Sequence, residues 1–476
     1  METVNNLGYK WTGHPLVDMG IATLTAFSEL DNPEQLTGEH LEKFAEYAEQ
    51  AYFSPLLSGY LTVLFTANFL NPSWKPDKKK QHVKNLLRSY KLNGDEDLPP
   101  CTFCGRSSIR LPYLNADRGF LAYRDLIPML SGEAVINFFP KGRFGLPVCG
   151  LCTVAIQALV IGAPYCEGKA LIIYSDNPLL LLNIVKMWLP EQRARIQLSL
   201  ASGEKPKWSR PLTRVIDAMA TLENLYIVEG GRLTIYILSN SGQGPSIEMY
   251  ELPASITSFF MKAQSARYRN TWNVLIKNAW ESPERGKSFE EEKPRLRNYL
   301  YEDLFRLPDE APGFIRKYFL RQSIRFKREY NDKQGLNYHG WQEAEIIKWD
   351  LTELFLKEVL GMEKQRIESI KMLADQMADD IVSSNDRSLW WKIYSVQNFQ
   401  GIRNLLITQN RKSLQNGKKP IITFDQFLNI FEEGEELARA DWRLAWDLLL
   451  IRVIEQLYQK KWFEQNKEAL VIEEEK

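Results

Sequence analysis

Five cysteines occur in 476 residues, and four of them fall into two pairs of identical spacing. Cys101 and Cys104 lie in PPCTFCGR, Cys149 and Cys152 in LPVCGLCT, with residues 105–148 between the pairs. A CxxC turn lets two thiolates converge on one ion, and two such turns supply the four ligands of a closed, tetrahedral zinc site. Each pair has proline upstream (Pro99 and Pro100; Pro147), and glycine follows Cys104 and Cys149 where a tight turn is needed. Zinc ribbons usually separate their pairs by about 15–20 residues, so residues 105–148 read as an insertion whose ends meet. Thioredoxin-like redox chemistry is the alternative, but it uses one CxxC at a helix start rather than two matched pairs. The four histidines, His14, His40, His82 and His339, are scattered along the chain. The expectation is therefore a structural Zn2+ held by four cysteines, with Cys166 a buried extra.

Positive charge is the second chemical signal. Lys+Arg and Asp+Glu are equal at 60 each, so only local distribution carries information. Residues 74–91 hold seven basic residues against one acid, and 262–330 hold sixteen against ten. Residues 316–330, RKYFLRQSIRFKREY, are the densest part of that second segment, with aromatic residues interleaved and Arg321, Arg325, Lys327 and Arg328 as candidate contacts. Residues 387–420 contain Arg387, Lys392, Arg403, Arg411, Lys412, Lys418 and Lys419 with no acid. Trp390, Trp391, Tyr394 and Phe399 lie in the same stretch. Cations neutralise phosphates and release counterions, and aromatic rings offer stacking faces to unpaired bases. The stretch reads as a nucleic-acid contact, although an acidic protein surface would suit the same charges. Two loops could approach a groove: KPKWSR, with Lys205 and Lys207, and SNSGQGPS, where Asn240 and Gln243 could bond base edges. An ordinary surface loop is the plain alternative for both.

The elements that must position these residues are mixed. Residues 14–30 and 36–50 read as helices, with Thr37 capping the second. Residues 59–70, 134–139 and 169–175 read as strands, and 225–238 as a hairpin turning at Gly230-Gly231. Beyond residue 260 the strand signals fade, and 341–361, 362–382 and 435–463 carry helical periodicity. The fold class is thus α+β: residues 1–340 form a mixed region with an inserted four-cysteine zinc-ribbon-like element, and 341–476 an all-α helical bundle.

No phosphate-binding loop, dinucleotide fingerprint, HExxH or GxSxG occurs. The adjacent carboxylates Glu302-Asp303 and Asp379-Asp380 do not face one another on a helix. A catalytic residue cannot be named, and an enzyme is not favoured. The opening METVNNLGYKWTGHP lacks a basic segment followed by an apolar core, and no apolar run reaches the roughly 20 residues of a membrane span. A cytoplasmic location, without membrane, is expected.

TGHPLVDMGIATL near the start (Thr12–Leu24), followed by the distant CxxC pairs and a helical C-terminal region, resembles the large subunit of type I-B CRISPR effector complexes (Cascade), a family described by its CXXC–CXXC motif. The resemblance implies a non-catalytic subunit that reads the protospacer-adjacent motif on duplex DNA and stabilises the R-loop, while guide pairing reads the sequence. It further implies backbone and handle-binding subunits around a guide RNA, small subunits, target double-stranded DNA with its displaced strand, and a recruited nuclease–helicase or transposition proteins. The C-terminal domain would resemble a small subunit and could also be made from an internal start at Met362 or Met372. The alternatives are a zinc-containing enzyme that processes nucleic acid and a protein-binding scaffold.

Overall fold

The structure is a computed structural model, and it describes residues 6–65, 74–111, 121–129, 145–205, 208–222, 230–241, 244–321, 344–433 and 437–470. It divides into two compact units: Met1–Thr257 with Gly286–Leu296, and Ser258–Arg285 with Arg297–Lys476. Residues 258–285 and 297–321 therefore group with the C-terminal helices, whereas the sequence pattern placed the division near residue 340.

In the first unit, α1 (Pro15–Phe27) starts at a proline whose fixed φ suits the first helical position. Helix α2 (Gly38–Ala51) is capped by Thr37 and His40, each side chain accepting from the other's backbone N–H. Then come α3 (Pro55–Leu64), α4 (Pro76–Leu87) and α5 (Gly150–Gly162). The expected strand at 59–70 is corrected: residues up to Leu64 are helical, and 66–70 lie outside the described residues. Ser54 accepts from Leu57 N at 3.2 Å, and Pro55 opens the helix. That start signal outweighs the β-branched content behind it.

Helices α1 and α5 cross with almost no gap. A Cβ built on Gly20 would lie 1.8 Å from the Ala155 carbonyl oxygen, so only glycine permits this approach. From Val17 to Thr25 the α1 residues are buried, and so is nearly all of α5.

Against these helices lies a four-stranded antiparallel sheet in the order β1-β2-β3-β4: β1 (Tyr165–Cys166), β2 (Lys169–Ser175), β3 (Leu233–Ser241) and β4 (Gly244–Leu252). Helices α6 (Pro178–Ser202) and α7 (Pro211–Thr221) lie between β2 and β3 in the chain. β2 falls where the sequence placed it. The expected hairpin at 225–238 is corrected, because the β3 hairpin partner is β4 and the two are joined through residues 242–243. Gly231 is not its turn: a Cβ there would lie 2.6 Å from the Asn177 Cβ. Residues 225–229 and the strand expected at 134–139 lie outside the described residues.

Helix α8 (Ala254–Ala263) runs across the division between the units. The second unit continues with α9 (Arg269–Asn278), α10 (Trp349–Glu358), α11 (Lys364–Ser384), α12 (Arg387–Ser395), α13 (Phe399–Gln415), α14 (Phe424–Phe431) and α15 (Trp442–Gln459). Its core is the packing of α11 on α15. Ile367, Ile370, Leu373, Met377 and Ile381 are buried on one helix, and Trp446, Leu449, Val453 and Leu457 on the other. Each such side chain contributes about 1.5–3 kcal/mol on burial. A two-residue pairing, Glu432–Glu433 with Leu437–Ala438, interrupts the helix expected over 435–463, which begins only at Trp442. No helix among the described residues is long and apolar enough to cross a membrane.

Candidate metal centre and basic surface

The two cysteine pairs meet. The Sγ atoms of Cys101, Cys104, Cys149 and Cys152 all lie within 4.8 Å of one another, although 44 residues separate Cys104 from Cys149. The first pair is a tight turn in which Cys101 N donates to Arg106 O at 2.7 Å and Gly105 N to Cys101 O at 2.9 Å. Gly105 takes φ +75°, a left-handed conformation that glycine adopts without penalty. The second pair starts a helix: Cys149 is the N-cap of α5, and its Sγ accepts from Cys152 N at 3.4 Å. The positive end of that helix favours thiolate charge.

Backbone bonds hold the pairs in register. Thr102 N donates to Pro147 O at 3.0 Å, and Ile109 N to Val148 O at 3.1 Å. These contacts bring the ends of residues 105–148 together, as the sequence spacing required.

The donor set fits zinc. A sulfur–zinc bond of about 2.3 Å in a tetrahedron places sulfurs about 3.8 Å apart; Cys104 Sγ and Cys149 Sγ lie 3.5 Å apart. Three of the four side chains are buried and none is in a disulfide. Hydrogen bonding from Cys104, Cys149 and Cys152 pulls the Cys101 thiol down. Cys149 and Cys152 are pushed up, first by hydrogen bonding with Cys101. Four adjacent sulfurs cannot all carry charge unless a cation shares it. Cys166 is not part of the cluster. It is buried in β1, and burial pushes its thiol up to about 12.

Residues other than the cysteines pack beside the cluster. Tyr9 Oη donates to Leu151 O at 2.9 Å, inside the second CxxC turn. The Arg106 guanidinium donates to Gly8 O, and Phe103, inside the first turn, meets the His14 ring edge-on at 4.7 Å. Arg106 follows the first pair directly, but nothing in its spacing announces a partner 98 residues upstream.

The basic stretch 387–420 folds into α12 and α13 and separates into two groups. Arg387 pairs with Glu468 at 3.0 Å, Lys412 with Asp386 at 2.9 Å, and Lys418 with Asp380 at 3.8 Å. Acids outside the stretch therefore neutralise three of its seven cations. Lys392, Arg403, Arg411 and Lys419 are exposed, with no carboxylate within ion-pair distance among the described residues. The aromatic residues separate too. Trp390 is core, its Nε1 donating to Ala469 O at 3.0 Å, whereas Trp391 is 37% exposed. Phe399 packs against Trp442 with ring centres 5.9 Å apart.

Other candidates are dispersed. Lys205 is exposed three residues beyond α6, and Arg321 is buried. Asn240 is half-buried on β3, opposite Pro245 near the hairpin tip. Lys207, Gln243, Arg325, Lys327 and Arg328 lie outside the described residues. No family model, curated protein or solved structure matches this chain.

Proposed function

We propose that this chain is a non-catalytic large subunit of an RNA-guided CRISPR surveillance complex resembling those of type I-B. In this reading the four cysteines hold a structural zinc ion, and the chain recognises a protospacer-adjacent motif and stabilises the R-loop. The observation that carries the reading is the convergence of two distant CxxC pairs on one point, downstream of the TGHPLVDMGIATL segment. A tetrahedral all-sulfur set in a buried position suits zinc in a fold-holding role better than an open catalytic site.

The basic surface gives the reading a second support. Arg403 and Arg411 lie two turns apart on the exposed face of α13, about 12 Å along the axis, with Lys392 and Trp391 on α12. Exposed cations at that spacing suit a phosphate backbone, and the exposed Trp391 ring suits stacking on an unpaired base. The β3–β4 hairpin, carrying Asn240, is the candidate for motif reading.

The test is affinity isolation from the native host with sequencing of the RNA that accompanies the protein. Uniform RNAs sharing one repeat-derived handle, with several partner proteins, are expected. A protein that brings no RNA and no partner would overturn the assignment.

A further inference from the structure

We infer that the four-cysteine centre is also a latch for the N-terminal strap, residues 6–14, so that metal occupancy fixes the path of the strap into helix α1. The inference rests on the metal centre of that reading and not on the assignment to an RNA-guided complex, because it concerns only contacts within the first unit.

The strap is held at three places. At its start, Leu7 N donates to Leu36 O at 3.0 Å, and Asn6 bridges to Thr37. At its end, the Asp18 carboxylate in the first turn of α1 accepts from Thr12 N at 2.7 Å, Thr12 Oγ1 at 2.8 Å and Gly13 N at 2.9 Å. Between them the holding groups belong to the cysteine turns. Arg106 grips Gly8 O, Leu151 O accepts from Tyr9 Oη, and the Phe103 ring meets His14. Tyr9 is 2% exposed, so its phenol has no water to replace the carbonyl.

Each turn supplies a different grip. The first contributes Phe103 and Arg106, the second Leu151, and residues 107–148 of the chain run between them. Both grips keep their spacing only while the two turns are joined. Backbone bonds between the turns join them in part, and an ion bound to all four sulfurs would fix their separation. When the turns part, Tyr9 and Gly8 lose their partners, and Asp18 alone anchors the end of the strap.

Hydrogen–deuterium exchange of the full chain tests this, comparing zinc-loaded protein, chelator-treated protein and protein with zinc added back. Amides of residues 8–13 should exchange roughly five-fold faster or more after chelation, the loss of about one buried bond. Residues 19–25 should accelerate less than the strap, helices α11 and α15 of the second unit should keep their rates, and added zinc should restore the strap. Acceleration across the whole chain, or none in the strap, overturns the latch. Arg106→Ala and Tyr9→Phe keep all four cysteines and separate latching from general stability. Both should retain one zinc per chain and still loosen residues 8–13. A strap as protected as in the unaltered protein, or a lost metal, counts against the inference.

Discussion

Cys104 Sγ lies 3.5 Å from Cys149 Sγ, joining two turns that the chain separates by residues 105–148. Thiols at that distance gain little from one another as neutral groups, whereas a shared cation uses all four. Metal analysis of protein purified without chelator should give one zinc per chain, and Cys104→Ser or Cys149→Ser should reduce it below half. Because protons compete with metal for thiolate, acidification should release the ion and neutralisation should restore it. Full thermal stability retained after complete zinc removal would contradict a fold-holding role.

The centre was legible in the sequence because its ligands are a rare residue type at a fixed spacing. Its surroundings were not. Tyr9, Phe103 and Arg106 are ordinary residues whose role depends on tertiary approach, and no spacing reports that. Helix α3 escapes the sequence pattern for a related reason: Tyr60, Thr62, Val63 and Phe65 are strand-favouring residue types, while the deciding signal is the Ser54-Pro55 start. The basic stretch was legible as composition only. Which cations remain unneutralised depended on Glu468, Asp386 and Asp380, which lie outside it.

Gly20 should be intolerant of any side chain. A Cβ would stand 1.8 Å from a backbone carbonyl, and neither α1 nor α5 can move without disturbing a buried surface on both. Gly20→Ala should cost roughly 3 kcal/mol, the upper end of overpacking effects. Gly59→Ala in α3 meets nothing within 4 Å, so it should be neutral or slightly stabilising. Urea denaturation of the two variants checks the contrast. Equal stabilities would show that the helix crossing is looser than described.

A part-buried pair in the second unit gives a pH dependence, with Arg366 buried and the Asp441 side chain 38% exposed. Arg366 donates to Asp441 at 2.6 and 2.8 Å, and to Ile430 O at 3.0 Å. Burial pushes the Asp441 carboxyl up, but hydrogen bonding and charge from Arg366 outweigh this and hold it below 3.8. A carboxyl lowered by folding stabilises the native state fully above its unfolded pKa, and that contribution fades as pH falls through the folded value. Asp441→Asn should therefore cost about 1 kcal/mol at pH 7, solvent at the half-exposed carboxylate weakening the pair. The gap from the unaltered protein should close as the pH falls below about 4. Denaturant titrations across that range test it, and a gap independent of pH would assign the loss to packing.

Exposed and neutralised cations should differ in nucleic-acid binding. Arg403→Ala with Arg411→Ala should weaken single-strand binding several-fold and reduce the salt slope by about one unit per lost phosphate contact. Arg387→Ala removes a cation already paired with Glu468, so it should change binding little. Fluorescence anisotropy at several salt concentrations distinguishes the two. Identical slopes for both variants would remove α13 from the interface.

Asn240 tests motif reading separately from phosphate contact. It stands on β3 opposite Pro245, close to the connection at 242–243, and an amide carries a donor and an acceptor, the pair of groups that an adenine edge matches. Replacing it with alanine removes both groups and leaves every cation of α12 and α13 in place. In the assembled complex Asn240→Ala should lower affinity for DNA carrying the recognised motif by about 1–3 kcal/mol, with binding to motif-free DNA unchanged. Gel-shift competition between the two DNAs measures that difference directly. An equal loss on both would make Asn240 a general backbone contact, and no loss on either would move motif reading off the hairpin.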